Sequence, residues 1–437
     1  MSDTPPTLQV SVVTPTPAEL SPVPPTRELP TEAALSRPFD PSVSDLLNDV
    51  QSDRLMYAVF TLASFNTRHV LSSTTNSAQG IGAARDWLIT QWTAMRSAYP
   101  NKQIQIWTQP VNYQWKTYTI ATENVVAVFP GTEIGAGVIV VGAHYDSITT
   151  DWENGAAYAP GANDNGSGIA ALLEIGHIMA RRPHRATIIF VAFTAEETGK
   201  QGSETFAQAY LKANNVDVRA MINLDIIGSE YGPNDELDRR TVRLFSADPN
   251  DSVSRQLARQ IALITSTYID DMTLVLQSSE ERRGRWGDHQ SFSAAGYPAI
   301  RIIQGQDNLA RQHTGRDTPD GVQAAYLTRV TRLVLATVKV LADGLPAPTD
   351  LRLTTRANDP QTLTLSWSPV PAAASYLIVL RKMSSLSFDQ VLTVGNVAQL
   401  QWVDITKYNT VALASVDAKG QMGVLSSEYA IQSLLGR

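Results

Sequence analysis

The chain has 437 residues, of which 43% are hydrophobic, so it exceeds the usual size of one domain and predicts one large core with a smaller unit beside it. Its net charge of -7, without a run rich in Lys and Arg, argues against nucleic acid as a partner, because phosphate backbones need a basic surface. The absence of cysteine excludes disulfides and thiolate ligands, which leaves His, Asp and Glu to hold any metal ion.

The N-terminal segment is rich in Pro and Thr and shows no sustained apolar period. This composition predicts a disordered leader over residues 1–41. No apolar run approaches the roughly 20 residues of a membrane span, and the N-terminus lacks the basic and apolar segments of a signal peptide. We therefore expect a soluble chain without a transmembrane segment.

The middle of the chain alternates between helical and strand patterns. Apolar residues recur at helical spacing over residues 43–65 and 80–98, and short β-branched runs follow between further helical stretches. The alternation predicts an α/β fold with a mostly parallel central sheet flanked by helices, over residues 42–345. The runs that predict strands of this sheet are Val138–Val141, Thr187–Phe193, Met221–Leu224 and Ala299–Ile303.

The pattern changes after a Pro-rich boundary at residues 345–348. Apolar and polar residues then alternate over 362–367, 376–380 and 411–416, which is typical of short antiparallel strands. We expect a small C-terminal all-β sandwich over residues 346–437. Its Trp367, Tyr376 and terminal strand pattern resemble a fibronectin type III domain.

Polar residues follow the predicted strands at their carboxyl ends, where open α/β sheets bind ligands. Asp164 lies instead in a turn rich in Gly and Asn that leads into a helix. All of these residues are expected to converge on one rim of the sheet. The residues placed in this way are His144, Asp164, Glu196, Glu197, Asp225 and His313.

Each of these residues also has an ordinary structural use. Asp164 occupies the position of a helix cap or turn former. Glu196 and Glu197 fit a solvated pair that opens a helix, and His144 with Asp146 fits a surface ion pair. Taken together, however, the set offers two imidazoles and three carboxylate ligands, whose charge of about -3 would repel itself unless cations occupied the centre.

Five motifs then carry a resemblance to a known family. They resemble the co-catalytic zinc peptidases related to secreted bacterial leucine aminopeptidases and glutamate carboxypeptidase, and they cover roughly residues 45–345. In chain order the motifs are His-x-Asp-Ser, Pro-Gly-Ala-x-Asp-x-Gly-Ser-Gly, Glu-Glu-x-Gly, Asn-Leu-Asp-x-x-Gly and His-Thr-x-x-Asp-Thr.

The resemblance implies a zinc aminopeptidase-like fold and two zinc ions per chain. His144 and Asp225 would bind one ion, and Glu197 and His313 would bind the other. Asp164 would bridge the two ions. Ligands of this kind suit zinc, while cobalt and manganese remain alternatives.

The resemblance also implies a hydrolytic mechanism and a peptide substrate. Two zinc ions about 3.5 to 4 Å apart would activate a bridging water and polarise the peptide carbonyl. Glu196 would act as general base and then as general acid, and Asp146 would orient His144. The expected activity is removal of N-terminal residues from peptides.

One segment near the site departs from the family pattern. Gly287 precedes an Asp-His pair at a position where Ser is common, and no tyrosine can be assigned as the donor to the oxyanion. Arg282, Arg283 and Arg285 lie close by in the sequence. They either bind a substrate carboxylate or form a solvated basic loop.

Other activities on the same fold remain open at this point. Carboxypeptidase, dipeptidase and glutaminyl cyclase activities all occur in relatives, and a binding homologue without catalysis is a further alternative. The complete ligand set favours hydrolysis with two metals. The Pro/Thr-rich leader, the C-terminal sandwich and the resemblance together predict an exported protein, in which the sandwich could contact a surface or a partner.

Overall fold

The computed structural model describes residues 27–28, 37–356, 359–402 and 405–434. Most of the predicted leader therefore lies outside the described residues. The predicted fold class is confirmed: a central sheet of eight strands is flanked by helices, and antiparallel sheets follow at the C-terminal end. In the described ranges, no helix has the length and apolar character needed to cross a membrane.

The central sheet has the order β2-β3-β5-β4-β6-β9-β7-β8. Strands β5, β4, β6 and β9 run parallel at its centre, as predicted. The sheet as a whole is mixed, because β2 and β3 form an antiparallel hairpin and β7 runs antiparallel to β9. Its strands are β2 Gln105–Trp115, β3 Tyr118–Phe129, β4 Val138–His144, β5 Thr187–Phe193, β6 Val218–Leu224, β7 Thr241–Ser246, β8 Thr273–Leu276 and β9 Ala299–Gln304.

Helices cover both faces of this sheet. The helical region predicted over residues 80–98 is a single helix. The region predicted over residues 43–65 is divided into two helices, because the backbone is extended at Gln51. The backbone N–H of Gln51 donates to Glu174 Oε1 at 2.7 Å. A π-helical segment, Phe206–Lys212, directly continues the helix Gln201–Thr205. The helices are α1 Pro41–Leu47, α2 Ser52–Ser64, α3 Gly80–Ala98, α4 Ser167–Met179, α5 Gln201–Thr205, α6 Val253–Tyr268, α7 His289–Ala294, α8 Ala324–Asp343 and α9 Ile431–Leu434.

Alternate residues of the central strands enter two separate cores. Ile188 and Phe190 of β5 pack in the core that contains α2, α3, α4, α6 and α8. Ile189 and Val191 of the same strand pack in the core that contains Phe206 and α7. Burial on both faces explains why the central strands are almost entirely apolar.

The C-terminal strands form two antiparallel sheets with a core of their own. One sheet has the order β14-β11-β10, and the two-residue strand β1 pairs with β14. The other has the order β13-β12-β15-β16, and β17 also pairs with β15. The strands are β1 Arg27–Glu28, β10 Thr349–Arg356, β11 Asp359–Ser368, β12 Ser375–Arg381, β13 Gln390–Gly395, β14 Gln399–Trp402, β15 Thr410–Val416, β16 Met422–Leu425 and β17 Tyr429–Ala430.

The second of these sheets also packs against the helices of the central sheet. Leu377, Val379, Ala412 and Ala414 belong to the same core as α6 and α8. The opposite face of the sheet carries Tyr376 and its neighbours into the C-terminal core. The C-terminal strands are therefore anchored on the helical layer by apolar contact.

Candidate metal centre

The predicted site residues meet at the carboxyl end of the parallel strands. Strand β4 ends at His144, and Asp225 follows β6 directly. Glu196 and Glu197 lie in the turn after β5, and the remaining two residues come from the turn before α4 and the loop after β9. The residues brought together are His144, Asp164, Glu196, Glu197, Asp225 and His313.

The Asp164 carboxylate lies between two histidines. Its Oδ1 is 3.3 Å from His144 Nε2, and its Oδ2 is 3.1 Å from His313 Nε2. Asp225 Oδ1 lies 3.4 Å from His144 Nε2, and Glu197 Oε2 lies 3.1 Å from His313 Nε2. The donor atoms thus form two groups that share one carboxylate.

The spacing of these donor atoms fits zinc. A tetrahedral ion with bonds of about 2.0 to 2.1 Å to nitrogen and oxygen places its ligand atoms roughly 3.3 Å apart. Glu197 Oε1 and Asp225 Oδ1 are moreover buried without a hydrogen-bond partner in the described part of the chain. Because a buried carboxylate oxygen without a donor is unfavourable, a cation is the partner that suits this site.

The charges of the cluster favour positive charge at its centre. Burial alone lowers the pKa of His144, but Asp225 and the neighbouring carboxylates outweigh it and raise this pKa well above its ordinary value. Burial likewise lowers the pKa of His313, which Glu197 and Asp164 then raise to about 11. The carboxylates therefore draw protons to both imidazoles, and a divalent cation held by neutral histidines would take the place of those protons.

Glu196 lies beside both groups and is almost fully buried. Its carboxylate, a nitrogen of His144 and an oxygen of Glu197 all lie within 4.8 Å of one another. Burial raises the pKa of Glu196 well above the usual range, and the charges of Asp225 and Glu197 raise it further, while His144 opposes them. A carboxyl group with a raised pKa in a cavity is suited to accept and return a proton.

Asp146 holds the turn that carries the two glutamates. Its Oδ1 accepts the backbone N–H of Glu196, and its Oδ2 accepts the backbone N–H of Glu197, both at 3.1 Å. His144 Nδ1 lies 3.2 Å from the backbone carbonyl oxygen of Asp146 and 3.6 Å from its Oδ1. Asp146 therefore contacts His144 mainly through its backbone, and its carboxylate positions Glu196 and Glu197.

Two residues that we did not assign from the sequence hold Asp164. The Asp317 carboxylate accepts the backbone N–H groups of Asn163 at 3.0 Å and of Asp164 at 2.8 Å. Gln312 Nε2 donates to Asp164 Oδ2 at 2.9 Å. Asp317 is the single acidic residue of the His-Thr-x-x-Asp-Thr motif, so the sequence did carry a signal for it.

Arg301 is a third residue that the sequence analysis missed. It is 2% exposed, its Nη2 lies 3.1 Å from Asp225 Oδ2, and its Nη1 donates to Glu281 Oε2 at 2.6 Å. The register of β6 and β9 sets Arg301 opposite Asn223, two residues before Asp225. The available signal was a charged residue inside the apolar run that predicted β9.

The structure gives a steric reason for Gly287. A Cβ atom at this position would lie 3.1 Å from His289 Nδ1 and 3.2 Å from Arg301 Cδ. Any side chain there would press on the arginine that supports Asp225. Gly287 therefore lets the backbone pass close to His289 and Arg301.

Non-glycine residues with left-handed backbone lie at three of the site segments. Ala195 has φ +56°, Ile226 has φ +58° and His313 has φ +54°. Two of these residues directly flank site residues, and the third is one of them. Such conformations are unfavourable for residues with a Cβ and concentrate at functional sites.

The donor groups open into a cavity of about 200 Å³. Trp152 forms part of its wall and packs edge-on against His313, with ring centroids 5.7 Å apart. No tyrosine lines the cavity among the residues that the structure describes. Its other walls are formed by Ile226, Arg282, Gly284, Arg285, Trp286, Arg301 and Gln312.

Related sequences identify the family. The profile of peptidase family M28 matches residues 124–338, which contain all five motifs. A probable zinc metalloprotease from Leptosphaeria maculans is 32% identical over 390 residues, 82% of this chain and 90% of that protein. The chain belongs to peptidase family M28. Another probable zinc metalloprotease, from Pyricularia oryzae, shares 34% identity with this M28 chain over 412 residues, 85% of this chain and 81% of that protein.

Solved structures share the fold of this M28 chain at lower identity. The LapA aminopeptidase of Legionella pneumophila has a TM-score of 0.56 at 22% identity, over 72% of this chain and 78% of LapA. A glutaminyl cyclase from Porphyromonas gingivalis has a TM-score of 0.50 at 18% identity, over 66% of this chain and 98% of the cyclase. The peptidase family predicted from the motifs is confirmed, and the shared M28 fold is found in a peptidase and in a cyclase.

Proposed function

We propose that this M28 chain is a zinc-dependent exopeptidase, specifically an aminopeptidase that uses two zinc ions. The observation that carries the proposal is the pair of donor groups that share Asp164, with Glu196 lining the same cavity. Asp164 would bridge the ions, with one imidazole and one further carboxylate on each side. The proposed ligands are His144, Asp164, Glu197, Asp225 and His313.

The proposed chemistry assigns a task to each residue around the reacting bond. Zinc bound here supplies Lewis acidity that polarises the peptide carbonyl and makes water a nucleophile near neutral pH. Glu196 accepts a proton from the attacking water at its carboxylate and delivers it to the nitrogen of the leaving amine. Asp146 keeps Glu196 and Glu197 in place through their backbone N–H groups, and Arg301 holds Asp225.

The size and charge of the cavity support action at a chain end. At about 200 Å³ it is smaller than the roughly 300 to 1,000 Å³ of common ligand sites, so it suits one or two residues. Among the described residues that line the cavity, Glu196 is the acidic one that is not a proposed zinc ligand, so its carboxylate is the anionic contact left for the free α-amine of a peptide. A carboxypeptidase or dipeptidase remains the second candidate, because arginine side chains also line the cavity.

The experiment compares a leucine chromogenic amide with its N-acetylated form, before and after chelation and after return of zinc. Cleavage of the free-amine substrate alone, lost on chelation and restored by zinc, supports the aminopeptidase. Zinc binding without cleavage of either substrate overturns that assignment. Peptides with a free carboxylate and peptides with N-terminal glutamine would then test carboxypeptidase, dipeptidase and cyclase activities.

We also propose that the protein is exported and that its C-terminal sheets form a fibronectin type III-like sandwich. The Pro/Thr-rich composition of the leader supports the first point. The packing of Trp367 on Tyr376, with centroids 5.3 Å apart inside the C-terminal core, supports the second. Cell fractionation tests export: recovery of the protein only from the cytoplasm would contradict it. A crystal structure of the C-terminal sheets tests the sandwich, and any other topology would overturn that assignment.

A further inference from the structure

The loop between β8 and α7 forms a tight turn that carries three arginines. The backbone N–H of Arg285 donates to the carbonyl of Arg282 at 3.1 Å. Gly284, at the third position of the turn, has φ +72°, a conformation that favours glycine there. Arg282 and Arg285 at the base of the turn line the cavity, whereas Arg283 at its tip is exposed.

Two of the cavity arginines are already neutralised. Arg301 lies between Asp225 and Glu281, with nitrogen–oxygen distances of 3.1 and 2.6 Å. Arg282 Nε lies 2.9 Å from Glu281, and its Nη1 contacts Asp307. These contacts fix both guanidiniums in the wall of the cavity.

Arg285 differs because it has no such carboxylate. Within the described ranges, no Asp or Glu oxygen forms an ion pair with it, and its Nη2 donates to the neutral Oε1 of Gln312 at 3.2 Å. The side chain is half-buried, so its charge is partly shielded from bulk water. A guanidinium with free N–H groups at a cavity wall matches the paired oxygens of a carboxylate.

Gln312 also sets the distance from this guanidinium to the metal centre. Its Nε2 donates to Asp164 at 2.9 Å, while its Oε1 accepts from Arg285 at 3.2 Å. One amide and two hydrogen bonds therefore place Arg285 Nη2 within about 8 Å of Asp164 Oδ2. Since an extended peptide advances about 3.3 to 3.6 Å per residue, this reach covers the residue that follows the scissile bond.

We propose that Arg285 binds a carboxylate on the leaving side of the scissile bond, and that the enzyme prefers peptides with an anion there. This proposal rests on the proposed function, because it takes the cleaved peptide as its ligand. Two sources carry the same chemistry: the C-terminal carboxylate of a dipeptide and an acidic side chain at the second residue of a longer peptide.

Two matched substrate pairs separate these sources. Leu-Ala and Leu-Ala amide differ only in the terminal carboxylate, and Leu-Glu amide and Leu-Gln amide differ only in the side-chain carboxylate. Steady-state kinetics of the zinc-loaded enzyme gives kcat/KM for each. We expect a higher kcat/KM for the anionic member of at least one pair, and the pair that shows it identifies the source.

Three variants assign the preference to one side chain. Arg285→Gln is expected to lower the preference, which is the ratio of kcat/KM for the anionic peptide to kcat/KM for its neutral match, about tenfold to a hundredfold, because only the anionic member carries the carboxylate. Arg285→Lys should keep part of the preference, since lysine retains the positive charge but lacks the planar guanidinium that can donate two hydrogen bonds to one carboxylate. Arg283→Gln removes a neighbouring exposed charge and should change neither member. An equal effect of Arg285→Gln on both members, or equal effects of the Arg283 and Arg285 variants, would overturn the proposal.

Equilibrium binding provides a readout that does not depend on turnover. Calorimetry in the Glu196→Gln background should show that adding Arg285→Gln weakens binding of the anionic peptide more than binding of the neutral peptide. If this difference appears and no peptide is hydrolysed by the wild-type enzyme, the aminopeptidase proposal fails and the role of Arg285 stands. If hydrolysis occurs without any Arg285-dependent preference in kinetics or binding, the aminopeptidase stands and the carboxylate site is wrong.

Discussion

Two buried charged clusters in this protein are built in opposite ways. At the metal centre, Glu197 Oε1 and Asp225 Oδ1 have no hydrogen-bond partner among the described residues. Where α6 meets the C-terminal sheets, both oxygens of Glu428 are filled, one by Arg259 and the other by Arg381 Nε at 2.7 Å. Burial of charge is common to both places. The metal centre differs in having carboxylate oxygens without donors, and these oxygens are what a bound cation would contact.

Both carboxylate oxygens of Glu428 and its backbone N–H have hydrogen-bond partners. Thr410 Oγ1 donates to Glu428 Oε2 at 3.1 Å. The backbone N–H of Glu428 donates to Gln256 Oε1 at 2.9 Å. Arg259 also donates to the side chain and backbone of Asn250. Both oxygens of this buried carboxylate therefore have donors, and its contacts join the helical layer to the C-terminal strands without the need for a cation.

The largest effect is expected from removal of the shared carboxylate. Asp164→Ala deletes a donor from both groups, so zinc binding should be lost on both sides and hydrolysis should fall to the level of the metal-free protein. Metal analysis and hydrolysis of the leucine amide measure the two losses. Asp271→Ala, at an exposed position before β8, is the control. A variant that retained two zinc ions would show that Asp164 does not bridge them.

The next largest effect separates proton transfer from metal binding. Glu196→Gln keeps the size of the side chain but cannot accept the proton, so kcat should fall about 10² to 10⁴-fold while zinc content stays normal. Glu204→Gln, at an exposed position of α5, is the matched control. Near-normal turnover in Glu196→Gln would reject the assignment of this residue as the base.

The Glu428 cluster should respond in stability and not in chemistry. Glu428→Gln leaves Arg259 and Arg381 buried without their anion, and we expect the free energy of unfolding to fall by about 3 to 5 kcal/mol. Zinc content and kcat of the folded protein should be unchanged. Urea unfolding and metal analysis test both points, with the exposed Lys382→Gln as control. If Glu428→Gln lost zinc and kept its stability, the Glu428 cluster would serve the metal centre and not the fold.

A smaller effect is expected at Glu281, which is fully paired but adjoins the metal centre. Burial raises its pKa, but Arg301 and Arg282 outweigh this and lower it from 4.5 to about 2. Its contribution to stability is therefore complete above pH 4.5 and is lost as pH falls toward about 2. Glu281→Gln should lower the free energy of unfolding by roughly 3 kcal/mol at neutral pH.

The pH dependence of unfolding distinguishes this charge effect from lost packing. In Glu281→Gln, the decline of unfolding free energy below pH 4.5 should be shallower than in the wild type, because one group with a depressed pKa has been removed. Urea unfolding at a series of pH values measures the slope. Glu236→Gln, at an exposed position, should keep the wild-type slope. A wild-type slope in Glu281→Gln would show that Arg301 and Arg282 do not lower the pKa of Glu281 in the folded protein.

The central strands and one long helix could be predicted because their patterns are local. Thr187–Phe193 is an unbroken apolar run, and Gly80–Ala98 has a clear helical period. The hairpin Gln105–Trp115 and Tyr118–Phe129 was not predicted: its first strand and the start of its second mix polar and apolar residues, and the buried apolar run Val125–Phe129 was overlooked. The edge strand Thr273–Leu276 was also missed, because it has only four residues and none of them is fully buried.

The site residues also separate into those that a local sequence pattern predicts and those that depend on tertiary contacts. His144, Glu197 and Asp225 could be assigned because each follows a predicted strand or lies in a motif. Arg301 could not, because its contact with Asp225 depends on the register between β6 and β9, which are far apart in the sequence. The roles proposed for the ligands, for Glu196 and for Asp146 stay predictions, of which the Asp164 and Glu196 variants above test two.

The left-handed backbone at Ile226 has a consequence for how this protein can evolve. A β-branched residue in that conformation is unfavourable by about 1 to 3 kcal/mol, and hydrogen bonds to Asn165 and Gln304 hold it there. Replacement of Ile226 by glycine would remove the steric cost of the left-handed conformation. It would also let the backbone after Asp225 adopt other conformations. Selection for a more stable fold and selection for a fixed ligand position therefore act on this one residue in opposite directions.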